Sequence, residues 1–485
     1  MRNIVVVNNP AEWDIGVEGI EVAAAKAYLS QPHFAKMKTA RIFNLCRTYR
    51  YQTNGYYVSL LAEARGHRAF PSVTTIQDFQ SRSIVQVISD EIDELIQKSL
   101  LRLKTKDFSL SIYFGKNMAK QYCELSKRLY GLFQAPLLRA NFIFNKKWIL
   151  SNITPIPLNA IPENHKGILV EFARDYFSRK KFHASKLSTS LYDLAILINP
   201  EEKIPPSNKR AIKKFIEAAE ELDFYIELIT REDYSRIPEF DALFIRETTA
   251  VNHHTYRFAR RAHAEGLVVL DDPLSIVRCS NKVYLAELLT KAKVLQPKTI
   301  IVHKHNIGEI EKELGLPCIL KQPDSFFSQG VIKVTERNEL YRALEQLLKI
   351  SDLVIAQEFI PTEFDWRIGV LDKKPLFACK YYMAKGHWQI YNWRKAGKSE
   401  QDGQTEAMAI SRVPECVIDT AVKAANMIGD GLYGVDLKQI GNRAIIVEIN
   451  DNPSIDAGVE DSFLKEKLYY KVMQSFLRRL RKRND

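Results

Sequence analysis

Two short stretches carry oxygen-bearing side chains in the spacing that a hard cation requires. In Ile445-Ile446-Val447-Glu448-Ile449-Asn450-Asp451-Asn452-Pro453 an apolar run enters an acidic, polar turn. Side chains alternate faces along a strand, so Glu448 and Asn450 share one side. Upstream, Leu432-Tyr433-Gly434-Val435-Asp436-Leu437 reads as a partner strand that brings Asp436 as a third ligand. Three oxygens on neighbouring strands suit Mg²⁺, which takes few protein ligands and completes its shell with water and nucleotide phosphates. A hairpin with a solvated acidic tip fits these residues equally well when they are taken alone.

Candidate phosphate-binding residues precede them. Pro317-Cys318-Ile319-Leu320-Lys321 reads as a strand ending in a lysine, and Asp324-Ser325-Phe326-Phe327-Ser328-Gln329-Gly330-Val331 as a loop closing into the next strand. Lys282 opens a predicted helix after Asn281. Either lysine alone reads as an ordinary surface residue. Together with Ser328, Gln329 and Gly330, they can cradle phosphates through backbone N–H groups and point charge. No Gly-Lys-Ser/Thr follows a suitably spaced glycine, so this is not a Walker A loop. The strand 353–361 carries Gln357, Glu358, Phe359 and Ile360 ahead of Pro361. It offers a purine a flat surface and backbone hydrogen-bonding groups, or it is a plain edge strand with a proline stop. Glu363, Asp365 and Arg367 come next, at the opening of another strand.

In this order the residues resemble the ATP-grasp superfamily, and most closely its RimK-like carboxylate–amine ligases. The resemblance covers about residues 191–475 and is most specific at Gln357-Glu358-Phe359-Ile360, Asp365-x-Arg367 and Glu448-x-Asn450-x-Asn452-Pro453, with Asp436 in register. It implies ATP as cofactor, its phosphates held by Lys282 and Lys321. Glu358 and Ile360 would meet adenine through their backbone, with Glu363 or Asp365 near the ribose. Asp436, Glu448 and Asn450 would hold one or two Mg²⁺ ions, with Mn²⁺ as a possible substitute. Arg367 would stabilise the transferring phosphoryl group, with help from Lys380. The activity implied is ATP-dependent, ADP-forming ligation of a carboxylate, on an amino acid or peptide such as glutamate, to an amine through an acyl phosphate. RimK-like proteins carry an Arg-Ser-Asn-type segment after the central strand. Here Asn392 matches, Ile390 stands in the arginine's place, and Arg394 or Lys395 could substitute. The competing reading is a nucleotide-binding regulatory protein of the same fold that no longer turns over. A degenerate site should lose metal ligands first, and these are intact.

The elements that must position these residues follow from composition and periodicity. A chain of 485 residues exceeds one core. The fold class is α/β (α+β), with an N-terminal α/β domain over 1–150, a connector over 151–190 and a small parallel sheet over 191–270; the resemblance implies that 191–270 is a pre-grasp domain and 271–485 a two-lobed ATP-grasp domain. In the first domain, helices are expected at 19–29, 54–66, 90–103 and 120–133, and strands at 4–7, 110–114 and 142–150. Strands alternating with helices between 194 and 270 indicate the parallel sheet, and no Gly-x-Gly-x-x-Gly follows its first strand. Arg246, at a strand end, could face an anion or pair with Glu247, while His253 and His254 begin a helix and read as structural. The tyrosine-rich segment 47–57 is either a ligand surface or a packed loop.

Six dispersed cysteines without a Cys-x-x-Cys pair argue against zinc ribbons and disulfide frameworks and lead to the expectation of a cytoplasmic protein. No apolar run spans a membrane. The net charge of +12 invites a nucleic-acid partner. The basic residues are scattered, however, and a polyanionic nucleotide or acidic substrate accounts for them, so nucleic acid is not expected. Self-association into a homo-oligomer is left open.

Overall fold

The computed structural model describes residues 2–13, 15–17, 20–37, 40–178, 191–324, 330–390 and 403–484. The chain forms two compact units, Met1–Leu191 and, apart from residues 234–236, residues 192–483.

The first unit opens with a parallel sheet of order β2-β1-β3-β4, formed by β1 (Arg2–Val7), β2 (Ile20–Ala24), β3 (Ala40–Asn44) and β4 (Arg68–Phe70). Ile4 to Val7 form an unbroken apolar run because both faces of this strand are covered. Ile4 and Val6 pack with Tyr28 and Val58, whereas Val5 and Val7 pack with Phe43, Leu169 and Phe177. An antiparallel sheet follows: β5 (Asp107–Tyr113), β6 (Leu137–Asn145) and β7 (Lys147–Pro155).

Several expected elements differ here. The helix expected over 19–29 is a strand and then a short helix, Ala25–Ser30, because β1 takes Ile20–Ala24 as its edge partner from Asn3↔Ile20 to Val7↔Ala24. The 90–103 helix is two helices, Arg82–Glu91 and Asp93–Leu100, broken where Ile92 leaves helical dihedrals. The 142–150 strand is the two arms of a hairpin that reverses at Lys146, whose φ is +61°. Residues 151–155 finish β7, and the helix read within the connector at 166–177 is present as Glu163–Ser178, which buries Leu169, Ala173 and Phe177 in the first unit's core. Residues 179–190 lie outside the described residues.

The second unit contains another parallel sheet, β9-β8-β10-β11, from β8 (Tyr192–Leu197), β9 (Phe224–Ile229), β10 (Ala242–Ile245) and β11 (Val268–Leu270). Next comes an antiparallel sheet of order β12-β15-β13-β14: β12 (Thr299–Val302), β13 (Cys318–Lys321), β14 (Val331–Val334) and β15 (Val354–Glu358). The apolar stripe of helix Arg337–Ile350 covers it through Leu340, Leu344 and Leu347. The last sheet has order β18-β17-β16-β19-β20: β16 (Phe364–Leu371), β17 (Lys374–Tyr382), β18 (Thr405–Met408), β19 (Leu432–Ile440) and β20 (Arg443–Asn450). Helix Glu415–Ile428 packs on it through Val417, Ala421 and Ala424. A separate core joins this sheet to the parallel one: Leu194, Phe215 and Phe244 meet Leu376, Phe377, Tyr469 and Phe476 of the helix Glu466–Asn484. That helix carries the basic run 478–483. Its arginines are not all solvated, since Arg478 and Arg479 pair with Asp372 at 2.5 and 2.7 Å. Among the described residues, no helix is long and apolar enough to cross a membrane.

Candidate active site

The two antiparallel sheets of the second unit present facing strands to a cleft of about 780 Å³, lined by Ile319, Lys321, Val331 and 357–360 on one side and Asp365, Lys438, Val447 and Glu448 on the other. A second cavity of about 1050 Å³ shares Lys282, Asp365, Ile390, Val447 and Glu448 with it, and continues past Arg367, Asp436 and Asn450 to Thr248, Thr249 and Asp451.

Strand register aligns the charged groups. Arg367 sits opposite Asp436, and Asp436 opposite Glu448, so three side chains form a row across β16, β19 and β20. A register shift beside Asp436 leaves Val447 as an extra residue, and the cleft receives both Val447 and Glu448. Arg367 grips Asp436 bidentately, Nε to Oδ1 and Nη2 to Oδ2, both at 2.7 Å. Asn450 Nδ2 donates to Asp436 Oδ2 at 3.2 Å, which confirms that β20 presents Glu448 and Asn450 to one side. Lys282 Nζ stands 2.9 Å from Glu448 Oε1. Its helix begins at Asn281, whose side chain accepts from the N–H groups of Val283 and Tyr284.

Burial and charge set the protonation states. Burial pushes the Asp436 carboxyl upward, and Arg367 opposes that shift. Burial acts on Glu448 in the same direction, but Lys282 and Lys321 outweigh it and hold the carboxyl below its ordinary value. Lys321 is 9% exposed, and desolvation lowers its ammonium to about 8. It is still largely charged at neutral pH. Since phosphates favour the charged form, ATP affinity is expected to fall as pH rises through about 8. Lys321→Ala should weaken ATP at least about tenfold, the share of one charge-assisted contact, and should abolish that pH dependence. Titrating ATP into both proteins across this range checks it.

The remaining expected residues divide clearly. Gln357, Glu358, Phe359 and Ile360 all line the first cleft. Glu358 N–H donates to the Lys298 carbonyl, and its Oε1 accepts from Lys298 N–H. Lys333 Nζ caps the Phe359 ring at 3.7 Å, and Trp388 meets its edge at 6.1 Å between centroids. Asp365 is buried at the cleft, whereas Glu363 is exposed and does not line it. Gly330 takes φ +75°, a conformation that favours glycine, and a Cβ there would approach Gln322 Oε1 at 2.7 Å. Ser328 and Gln329 in that loop, and Asn392, Arg394 and Lys395 further on, lie outside the described residues. Ile390 lines both cavities.

Lys380 is placed elsewhere. It pairs across the sheet with Trp366, and its ammonium lies 5.4 Å over that ring and 3.6 Å from Glu406. Trp366 belongs to the core on the sheet's other face from Arg367, so Lys380 points away from the cleft. Lys380→Ala should leave the ADP-release rate within about twofold of wild type, since an exposed pair is worth little.

Arg246 faces no open anion site and does not pair with Glu247. It is buried, with desolvation lowering it to about 10, and it donates to Asn452 Oδ1 at 2.7 Å, the Pro453 carbonyl at 2.9 Å, the Pro206 carbonyl and Ser207 Oγ. It thereby ties the turn after β20 to the parallel sheet. Lys438 was not among the expected residues. Its ammonium bonds Asp365 Oδ1 at 2.6 Å and Thr362 Oγ1 at 2.8 Å on the cleft wall. The signal was available, because Lys438 follows Asp436 by two positions on one strand.

Comparison with known proteins agrees with this architecture. Residues 25–172 match the RimK-like ATPgrasp N-terminal domain family, and residues 289–457 match the D-ala D-ala ligase C-terminus family. A probable alpha-L-glutamate ligase of Vibrio vulnificus (strain YJ016) is 23% identical over 47% of this chain and 74% of its own. The alpha-aminoadipate–LysW ligase LysX of Saccharolobus solfataricus is 25% identical over 50% of this chain and 88% of its own. Among solved structures, a RimK domain protein ATP-grasp from Sphaerobacter thermophilus covers 58% of this chain and 98% of its own, at 15% identity and a TM-score of 0.46. With a RimK-like ATPgrasp N-terminal domain in one unit and a D-ala D-ala ligase C-terminus in the other, the protein is an ATP-grasp carboxylate–amine ligase.

Proposed function

We propose that this protein activates the carboxylate of an amino acid or peptide as its acyl phosphate and joins it to an amine, with glutamate the first substrate to test. A carboxylate is a poor electrophile. Moving the γ-phosphoryl of ATP onto its oxygen releases ADP and creates a good leaving group. The amine nitrogen then attacks the acyl carbon, the C–N bond forms, the C–O bond breaks, phosphate departs and the amine's proton passes to solvent. The protein's part in such a reaction is positioning and charge neutralisation.

The observation that carries this reading is the row Arg367–Asp436–Glu448 beside Lys282 and Lys321, at the junction of two cavities. Lys282 and Lys321 would hold phosphate oxygens, and the 357–360 hinge would hold adenine. Arg367 would shift part of its grip from Asp436 to the transferring phosphoryl group. Asp436, Glu448 and Asn450 form an all-oxygen set on adjacent strands, which fits one or two Mg²⁺ ions or Mn²⁺. When bound, such ions neutralise the phosphate oxygens. In the structure Arg367 and Lys282 balance the two carboxylates. The second cavity would hold the substrates, and the glutamate and aminoadipate in the relatives' names favour an acidic amino acid among them.

The test is release of ADP and phosphate from Mg²⁺-ATP against a panel of amino acids and peptides, with products weighed by mass spectrometry. Stimulated release together with a product heavier by one residue less water supports ligation. Binding of ATP without release under every mixture speaks for the regulatory alternative.

A further inference from the structure

Outside the nucleotide cleft, the turn after β10 gathers three side chains able to bind a metal. One ligand atom each from Glu247, His253 and His254 lies within 4.8 Å of the other two. Glu247 is buried, and its Oε2 stands 2.9 Å from His254 Nε2. The two imidazoles lie with ring centroids 4.0 Å apart. Ligands about 2.0–2.1 Å from a tetrahedral zinc ion stand roughly 3.3–3.5 Å from each other. The observed separations bracket that value, so small side-chain rotations suffice.

The supporting contacts suit ligation. Thr255 Oγ1 donates to the Thr248 carbonyl at 3.3 Å and lies 3.1 Å from His253 Nδ1. With its proton spent, the hydroxyl accepts from Nδ1–H and leaves the Nε2 lone pair for a metal. Asn199 donates to the other oxygen of Glu247 at 3.3 Å. Glu202, whose carboxylate accepts from Thr248, adds a second acidic group close enough to repel Glu247. Two carboxylates beside two imidazoles form a site that gains from a cation.

The first unit supplies an internal control, because its parallel sheet repeats the one that carries the cluster. The orders β2-β1-β3-β4 and β9-β8-β10-β11 match strand for strand. The helices Asn54–Ala64 and His254–Ala264 both have 11 residues, and glycines at φ +70° and +72° follow them, at Gly66 and Gly266. Thr53 and His253 cap these helices with nearly the same dihedrals, −90°, 166° and −106°, 162°. At the helix start, where the second unit has His253 and His254, the first has Thr53 and Asn54. A helix of the same length and capping geometry therefore forms without imidazoles.

We propose that Glu247, His253 and His254 bind a divalent transition-metal ion of the zinc class, at a site separate from Asp436, Glu448 and Asn450. Imidazole nitrogens favour Zn²⁺, Co²⁺ or Ni²⁺ over Mg²⁺. The ion would fix the turn bearing Thr248 and Thr249, which line the second cavity.

The test uses the full-length protein, stripped by chelator and titrated with Co²⁺ without ATP. A visible absorption band that Zn²⁺ quenches is expected, and it should persist in Glu448→Gln. The double variant H253T/H254N installs the first unit's residues, so it should keep the fold by circular dichroism and bind Co²⁺ at least about tenfold more weakly. His254→Asn alone serves if the double variant does not fold. Absence of the band in wild-type protein, or its full retention in the folded variant, overturns the proposal.

Discussion

Glu448→Gln is expected to yield a folded protein whose ADP release falls by about a hundredfold or more. Glutamine keeps the volume and the strand position but removes the charge that gathers cations on β20. That charge is permanent at neutral pH, since Lys282 and Lys321 hold the carboxyl low against the pull of burial. Removing one preorganised charge from a site of this kind costs about 10²–10³ in rate. The melting temperature should shift only slightly, because Asn450 and Arg367 still hold Asp436. Steady-state ADP release at saturating Mg²⁺, with a melting curve of the same preparation, checks both halves. A rate near wild type would remove Glu448 from the proposed metal set.

Arg246→Ala has the largest expected effect on stability. The guanidinium is 1% exposed, and its donors serve Pro206, Ser207, Asn452 and Pro453 together. Truncation leaves buried acceptors without donors and opens a cavity beside Phe244. Breaking such a buried charged network costs about 3–5 kcal/mol, which lowers the melting temperature of a unit this size by roughly 6–15 °C. Arg246→Lys should recover little, because an ammonium cannot span four acceptors as the planar fork does. Thermal unfolding of the three proteins decides the matter. A shift below about 2 °C in Arg246→Ala would mean that the turn after β20 is held by other contacts.

Residues that act through local alternation were legible in the chain. Glu448 and Asn450 share a face because two positions separate them, and Asp436 meets them because its strand runs beside theirs. Gly330 could be read as a turn because glycine is the residue favoured at a positive φ. What depended on distant partners could not be read. Ile20–Ala24 lies in an alanine-rich stretch of good helix propensity and becomes a strand only because β1 offers an edge. Lys146 reverses a hairpin without the usual glycine or asparagine at its own position, so no turn signal marked it. The position of Arg246 at a strand end was visible, but its partners Asn452 and Pro453 lie far along the chain. Lys380 was misplaced through neglect of parity, since its cross-strand partner is Trp366 and not Arg367.

The core shared by the parallel sheet of the second unit and the helix Glu466–Asn484 bears on synthesis. Leu194, Phe215 and Phe244 are made early, yet they stay uncovered until Leu468, Tyr469 and Phe476 leave the ribosome. During that interval the nascent chain displays a broad apolar surface, the kind of surface that chaperones hold. The first unit has little such wait, because among the described residues its buried clusters draw on residues up to Phe177. Vectorial folding should therefore finish one unit long before the other. A ribosome stalled just short of residue 466 would carry a protease-resistant head and a protease-sensitive body.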